Sequence, residues 1–232
     1  MKRFIGMTVV LALLCCLLPA YAAGGISTTE ETWYVTSHSD DWRVYYYATV
    51  KNDSDEPEKI NDLLFEIQNE AGTTIESTAK YKLYPEILQP GEEGWLVISQ
   101  DVKDIEDRAM IDHYTLTLTS KKESDEADVK LQAAAEYLKE DEDENEDVLR
   151  AAVTNDGEGN AFEITVAMAA RDAEGKLLYV GSAATKDIGL AAGNSLLVRA
   201  TVTSDIADAL EDEKTEVASV DAVAYTVVDL DD

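Results

Sequence analysis

Cysteine is almost missing from this chain: of 232 residues only Cys15 and Cys16 are cysteine, and both lie within the first 22. If that segment is removed, no disulfide and no thiolate ligand remains, and stability has to come from apolar cores alone. Histidine is nearly as scarce, with His38 and His113 the two examples. Two imidazoles are fewer ligands than a zinc site usually takes, and a catalytic triad would need one of them beside a nucleophile. Both therefore read as structural. Basic residues are also few, 19 Lys and Arg against 48 Asp and Glu, for a net charge of −29. A field of that sign repels phosphate backbones and anionic lipid, which excludes nucleic acid and the membrane surface as expected partners. Beyond the first 22 residues there is no second long apolar run.

What is present begins with an export signature. Met1-Lys2-Arg3 supplies a basic start, Phe4 to Leu18 an uncharged apolar stretch, and Ala20 and Ala22 the small residues at −3 and −1 of a cut before Ala23. The apolar stretch falls short of the ~20 residues of a spanning helix. Lipidation would need a small residue before the cysteine, and Leu14 precedes Cys15. Residues 1–22 are thus expected to be a cleaved signal peptide, leaving a chain of net charge −31 with no stable membrane insertion. The expected location is extracellular or loosely cell-surface associated, in a bacterium.

The chain reads as a duplication. Thr49-Val50-Lys51-Asn52 matches Ala152-Val153-Thr154-Asn155, and Asp62 to Ile75 matches Thr165 to Leu178. Leu88-Gln89-Pro90-Gly91 then matches Leu190-Ala191-Ala192-Gly193, Asp104 to Asp107 matches Asp205 to Asp208, and Ile111 to Thr119 matches Val220 to Val228. Within each copy, short stretches rich in β-branched and aromatic residues end at Asn/Asp/Gly turns. Expected strands are 32–36, 42–50, 62–68, 73–83, 95–99 and 114–119, then 129–138, 148–154, 162–170, 176–184, 195–203 and 220–229. Asp101 to Met110 and Ser204 to Leu210 read as one short helix per copy, with capping residues and acids in the first turn.

The fold class expected from this is all-β: two tandem immunoglobulin-like β-sandwiches of roughly seven strands, each with a short helix. Domain 1 would span 23–120 and domain 2 129–232, joined by a linker at 121–128. The acidic run 139–147 would then be a loop inside domain 2, between its first two strands.

Val50-Lys51-Asn52, Phe65 to Gly72 and Leu88-Gln89-Pro90-Gly91 in copy one resemble the FxLYD-type immunoglobulin-like domains of bacterial secreted and surface proteins. Val153-Thr154-Asn155, Met168 to Gly175 and Leu190-Ala191-Ala192-Gly193 carry the likeness in copy two. Neither copy has the Leu-Tyr-Asp triplet, and copy two lacks the turn proline. The resemblance implies a sandwich fold and an extracellular location, and it hands over no site residues.

Several constellations bear on chemistry. Ser77-Thr78-Ala79-Lys80 spells the S-x-x-K of acylating enzymes, but that chemistry needs a helical turn and this segment reads as strand. A carboxylate pair for glycoside hydrolysis could be drawn from so many acids. Calcium is the sharper possibility, because hard oxygen ligands suit it. Its candidates are Glu140, Asp141, Glu142, Asp143, Glu144 and Asp147 in the acidic run, with Asp156 and Glu158 in the 155–160 turn. Trp42, Tyr45, Tyr46 and Tyr47 form an aromatic row that would contact sugar or peptide if exposed and fill a core if buried. The expected function is a non-enzymatic extracellular interaction or structural module. Its partner would be an unidentified protein or cell-surface polymer, a cationic one among them. The alternatives are a calcium-modulated surface module and a carboxylate-based hydrolase.

Overall fold

The computed structural model describes residues 25–38, 41–123, 129–139, 146–186 and 188–226. The N-terminal half holds β1 (Ile26–His38), β2 (Asp41–Asn52), β3 (Glu58–Gln68), β4 (Thr74–Thr78), β5 (Lys82–Tyr84), β6 (Glu93–Val102) and β7 (His113–Lys122). The C-terminal half holds β8 (Val129–Leu138), β9 (Val148–Thr154), β10 (Thr165–Arg171), β11 (Leu177–Ala184) and β12 (Ser195–Thr201). It closes with α1 (Ser204–Asp212) and β13 (Ser219–Thr226). The fold is all-β apart from that single α-helix among the described residues.

In the N-terminal half, a sheet of order β1-β2-β6-β5 stacks on one of order β4-β3-β7. Their shared core includes Ile26, Val44, Tyr46, Ala48, Val50, Phe65, Ile67, Leu96 and Ile98. The C-terminal half repeats the pattern with two changes: among the described residues no strand corresponds to β5, and β8 serves both layers. Residues Val129–Leu131 of β8 pair with β13, whereas Gln132–Leu138 pair with β9. β8 therefore passes from one layer to the other and links all six strands in the order β11-β10-β13-β8-β9-β12.

The two halves share turn chemistry atom for atom. The Nδ2 of Asn52 donates to the carbonyls of Glu56 and Leu88, and that of Asn155 donates to Gly159 and Leu190. Each Oδ1 accepts the amide two residues on, from Ser54 and Gly157. Gly91 and Gly193, both at φ +75, donate to the carbonyls of Asn52 and Asn155. A fully or nearly fully buried asparagine thus pins the strand end to the Leu-x-x-Gly turn in both copies, which accounts for two of the matching motifs. The hairpins agree as well. Asn69 and Asp172 each accept two backbone amides through Oδ1.

Three expectations are corrected. Asp101–Met110 is not a helix: β6 runs on to Val102, and the only helical element is a 3₁₀ turn at Arg108–Met110 capped by Asp107. Val102 and Ile111, at the two ends of the segment, are both buried in the N-terminal core. In α1, by contrast, Ile206 and Leu210 stand one turn apart on the buried face, the spacing that packs a helix. The return strand 73–83 is divided into β4 and β5, which belong to opposite sheets. Finally, β7 extends to Lys122, which pairs with Glu58, so the first two residues of the expected linker are strand.

Candidate functional site

β2 shows why the aromatic row matters. Side chains alternate between faces along a strand, and here both faces are covered. Val44, Tyr46, Ala48 and Val50 point into the N-terminal core. Tyr45 and Tyr47 point the other way and join Tyr34, Tyr84 and Trp95 in the core of the C-terminal half. The outer face of the first sheet is therefore the surface on which the second half sits. The Tyr47 and Tyr179 rings meet edge to face, with centroids 5.3 Å apart.

Polar bonds fix the register of this junction. Tyr45 donates its hydroxyl to Asp205 Oδ2 at 3.0 Å, from the first turn of α1, and Thr36 Oγ1 adds a second donor at 3.4 Å. Glu30 accepts from Arg171 Nη1 at 2.7 Å and from the Leu177 amide at 2.5 Å, while Arg171 Nε bonds Asp221 at 2.7 Å. Tyr84 Oη lies 2.8 Å from Ser182 Oγ. Lys130 bridges to Glu92 at 2.5 Å. Burial pushes the Tyr34 and Tyr179 phenols up to about 12, and that of Tyr47 well above its ordinary value. All three are held neutral as hydrogen-bonding or packing groups. The neighbouring acids hold the Arg43 and Arg171 guanidiniums above their ordinary value despite partial burial.

Beside the junction lies a cleft of about 760 Å³ between the Arg43 end of β2, the β8–β9 tip, α1 and residues 215–217. Glu146, Asp147, Asp205, Asp208, Glu211 and Glu216 line it against only Arg43 and Lys139. Arg43 is already paired with Asp101 at 2.6 Å. Tyr137 donates to Asp147 at the cleft wall. Lys139 and Glu146 mark the two points where the acidic run leaves and rejoins the described chain.

The candidates read from the sequence fall into three groups. Tyr45 and Tyr47 are brought together in the junction, whereas Tyr46 is wholly inside the N-terminal core, tilted against Phe65 and edge to face with Tyr114. Trp42 is half-buried against that same core. The row is thus divided between two buried surfaces rather than displayed. Glu140, Asp141, Glu142, Asp143 and Glu144 lie outside the described residues. Asp147 faces the cleft, Asp156 accepts from Gln132 at 2.9 Å, and Glu158 is exposed in its turn. Among the described residues, no three His, Cys, Asp or Glu side chains converge as a metal site. Ser77 lies in β4 and Lys80 beyond its end, so they are not one helical turn apart. His113 pairs with Asp112 at the start of β7.

The residues that sequence reasoning passed over are Glu30, Arg171 and Asp205, the polar ties of the junction. Their only signal was the doubly apolar alternation of β2, which demands a neighbour on each face. No protein-family model and no curated protein sequence matches the chain.

Proposed function

We propose that this chain is a non-enzymatic extracellular binding module, exported through residues 1–22, that presents two tandem immunoglobulin-like sandwiches as one rigid body to a cationic partner. The observation that carries this reading is the junction. A sheet buried on both faces, tied by Tyr45–Asp205 and Glu30–Arg171, removes the hinge that tandem modules usually have and freezes the acidic cleft beside it.

The strand orders support the immunoglobulin-like part. β1-β2-β6-β5 facing β4-β3-β7 corresponds to the A, B, E, D sheet opposite C and F, with an added edge strand and without the last strand G. The repeated buried asparagine and Leu-x-x-Gly turn support the FxLYD-type resemblance. Several carboxylates that could otherwise serve chemistry are engaged by the fold, Glu58 by the Gly25 amide and Ser120, Glu31 by Tyr114. Six acids against two bases in the cleft favour a positively charged partner, on a protein or a surface polymer.

The test uses the chain without residues 1–22 and a deca-lysine probe at about 0.15 M salt, where the Debye length of about 8 Å suppresses the diffuse field. An Asp208→Lys, Glu211→Lys variant should bind at least about tenfold more weakly. A charge-matched Asp62→Lys, Glu70→Lys variant should bind as the parent does. Equal weakening in both would show attraction by net charge alone and end the cleft reading.

A further inference from the structure

A second pocket opens along the junction, built on the strand that the duplication does not repeat. In the first half β5 crosses to pair with β6, with Tyr84 opposite Trp95, and no described strand of the second half corresponds to it. Between this segment, the start of β3 and the facing ends of β10 and β11 lies a cavity of about 630 Å³. Small-molecule sites run to roughly 300–1,000 Å³ and occur preferentially where two domains meet. The pocket shares no lining residue with the acidic cleft.

Its wall is neutral and rich in hydroxyls. Tyr84 Oη and Ser182 Oγ lie 2.8 Å apart across the junction. Two hydroxyls spend one proton on that bond, which leaves one O–H and several lone pairs for a ligand. Thr165 adds a third hydroxyl. Tyr81 supplies an aromatic wall, anchored by donating its own hydroxyl to the Ile60 carbonyl at 3.3 Å. The charges around the pocket cancel. Lys59 pairs with Glu123, and Lys82 and Glu86, both exposed, are of opposite sign. A chain of net charge −29 thus encloses a pocket with no charge excess, while the cleft sets six acids against two bases. The repeated fold does not require these polar groups. Glu58 bridges to Leu88 as Ala161 bridges to Leu190, so Lys59 corresponds to Phe162 and Glu86 to Ile188. In the second half both positions are exposed apolar side chains.

We propose that this pocket binds an uncharged, hydroxyl-rich ligand, a neutral sugar of one or two rings. Sugar hydroxyls donate and accept at once, which matches a wall of hydroxyls that do the same. The C–H face of a sugar ring packs on an aromatic wall such as Tyr81, whose π face is negative. A charged ligand gains little here. Exposed ion pairs with Lys82 or Glu86 are weak, and the ligand's charge would lose hydration against the half-buried hydroxyls. Because the wall draws on both halves, the site rests on the tied junction, which forms it before the ligand arrives. It is separate from the cleft proposed for a cationic partner and selects for the absence of charge.

The probes are three neutral disaccharides, cellobiose, maltose and diacetylchitobiose, with two charged counterparts, deacetylated chitobiose and cellobiouronic acid. Calorimetric titration of the chain without residues 1–22, at about 0.15 M salt, should show at least one neutral probe binding with a Kd of about 1 mM or tighter. Both charged counterparts should bind at least about tenfold more weakly. Ala184 is exposed and lines the pocket, so Ala184→Trp fills the space without touching a core; it should abolish binding and leave the melting temperature unchanged. Ser182→Val should weaken binding about tenfold by removing one hydroxyl of the wall. The cleft variant Asp208→Lys, Glu211→Lys should bind as the parent does. No saturable binding by any neutral probe, or undiminished binding in Ala184→Trp, would overturn the proposal. Charged probes that bind as well as neutral ones would overturn it too, as would loss of binding in the cleft variant, which would assign the sugar to the cleft.

Discussion

Replacing Tyr47 by alanine tests the junction, with Tyr46→Ala as its internal control. The two tyrosines are adjacent on β2, both are almost wholly buried, and they face opposite ways. Truncating a buried aromatic costs about 3–5 kcal/mol, and the edge-to-face pairs add about 0.5–1.5 kcal/mol each. For Tyr47 the lost partners are Tyr179, in the other half, and Tyr34. For Tyr46 they are Phe65 and Tyr114, in its own core. The same chemical change therefore withdraws similar free energy from two different places. The assay follows from where tryptophan lies: Trp33, Trp42 and Trp95 are all in the N-terminal half. Tryptophan fluorescence thus reports that half, while far-ultraviolet circular dichroism reports both. In urea the parent protein should give coincident curves, because the halves unfold as one unit. Tyr47→Ala should separate them, since the coupling is lost while each half keeps its own core. Tyr46→Ala should unfold the N-terminal half earlier and shift the fluorescence curve most. Coincident curves in Tyr47→Ala, with a loss under about 1 kcal/mol, would refute the idea that this face holds the halves together.

Alkali should act on the same surface. Tyr34 and Tyr179 titrate at about 12 in the folded chain against an ordinary value of 10. Their contribution is complete below pH 10 and is lost as pH rises toward 12, because the unfolded chain ionises first. Melting temperature should therefore fall across that window, each tyrosine contributing about 1.4 kcal/mol per pH unit, and absorbance at 295 nm should rise together with unfolding. Arg171→Ala strands Glu30 and should cost about 2 kcal/mol in urea titrations; Arg171→Lys should recover only part, because it cannot bond Glu30 and Asp221 through separate fork nitrogens. Asn155→Ala should cost about 2 kcal/mol, since the Gly159 carbonyl and the Gly157 amide lose their side-chain partner while the Leu190 carbonyl keeps only the Ala161 amide, and Asn52→Ala should match it within about 1 kcal/mol if the two turns are equivalent.

Much of this architecture was legible in local patterns. The period-2 alternation of β2, β7 and β9, the turn residues between strands, and the repeat spacing all report on neighbours within a few residues. Short-range chemistry decides them. The pairing of Asn52 with Leu88, and of Asn155 with Leu190, explains why those motifs recur together in each copy. The two expected helices could not be told apart on that basis: Ile105 and Ala109 have the same one-turn spacing as Ile206 and Leu210, and the burial of Val102 and Ile111 between the sheets decides against a helix.

The tyrosine row is where local pattern stops. Alternation says that Tyr45 and Tyr47 share a face and that this face is apolar. It cannot say whether solvent, a partner or the rest of the chain lies against it. That was decided by Arg171, Asp205 and Tyr179, which come from strands and a helix far away in the chain and meet Glu30, Tyr45 and Tyr47. The same holds for β11. It pairs with β10 along its length, whereas in the first half the return segment is divided so that β5 crosses to the other sheet. By itself the sequence determined the strands, their faces and the repeated turns, since these depend on dihedral preference and near-neighbour hydrogen bonds. The tertiary structure alone decided which apolar face meets which, because that depends on free energy summed over distant surfaces that no local window contains.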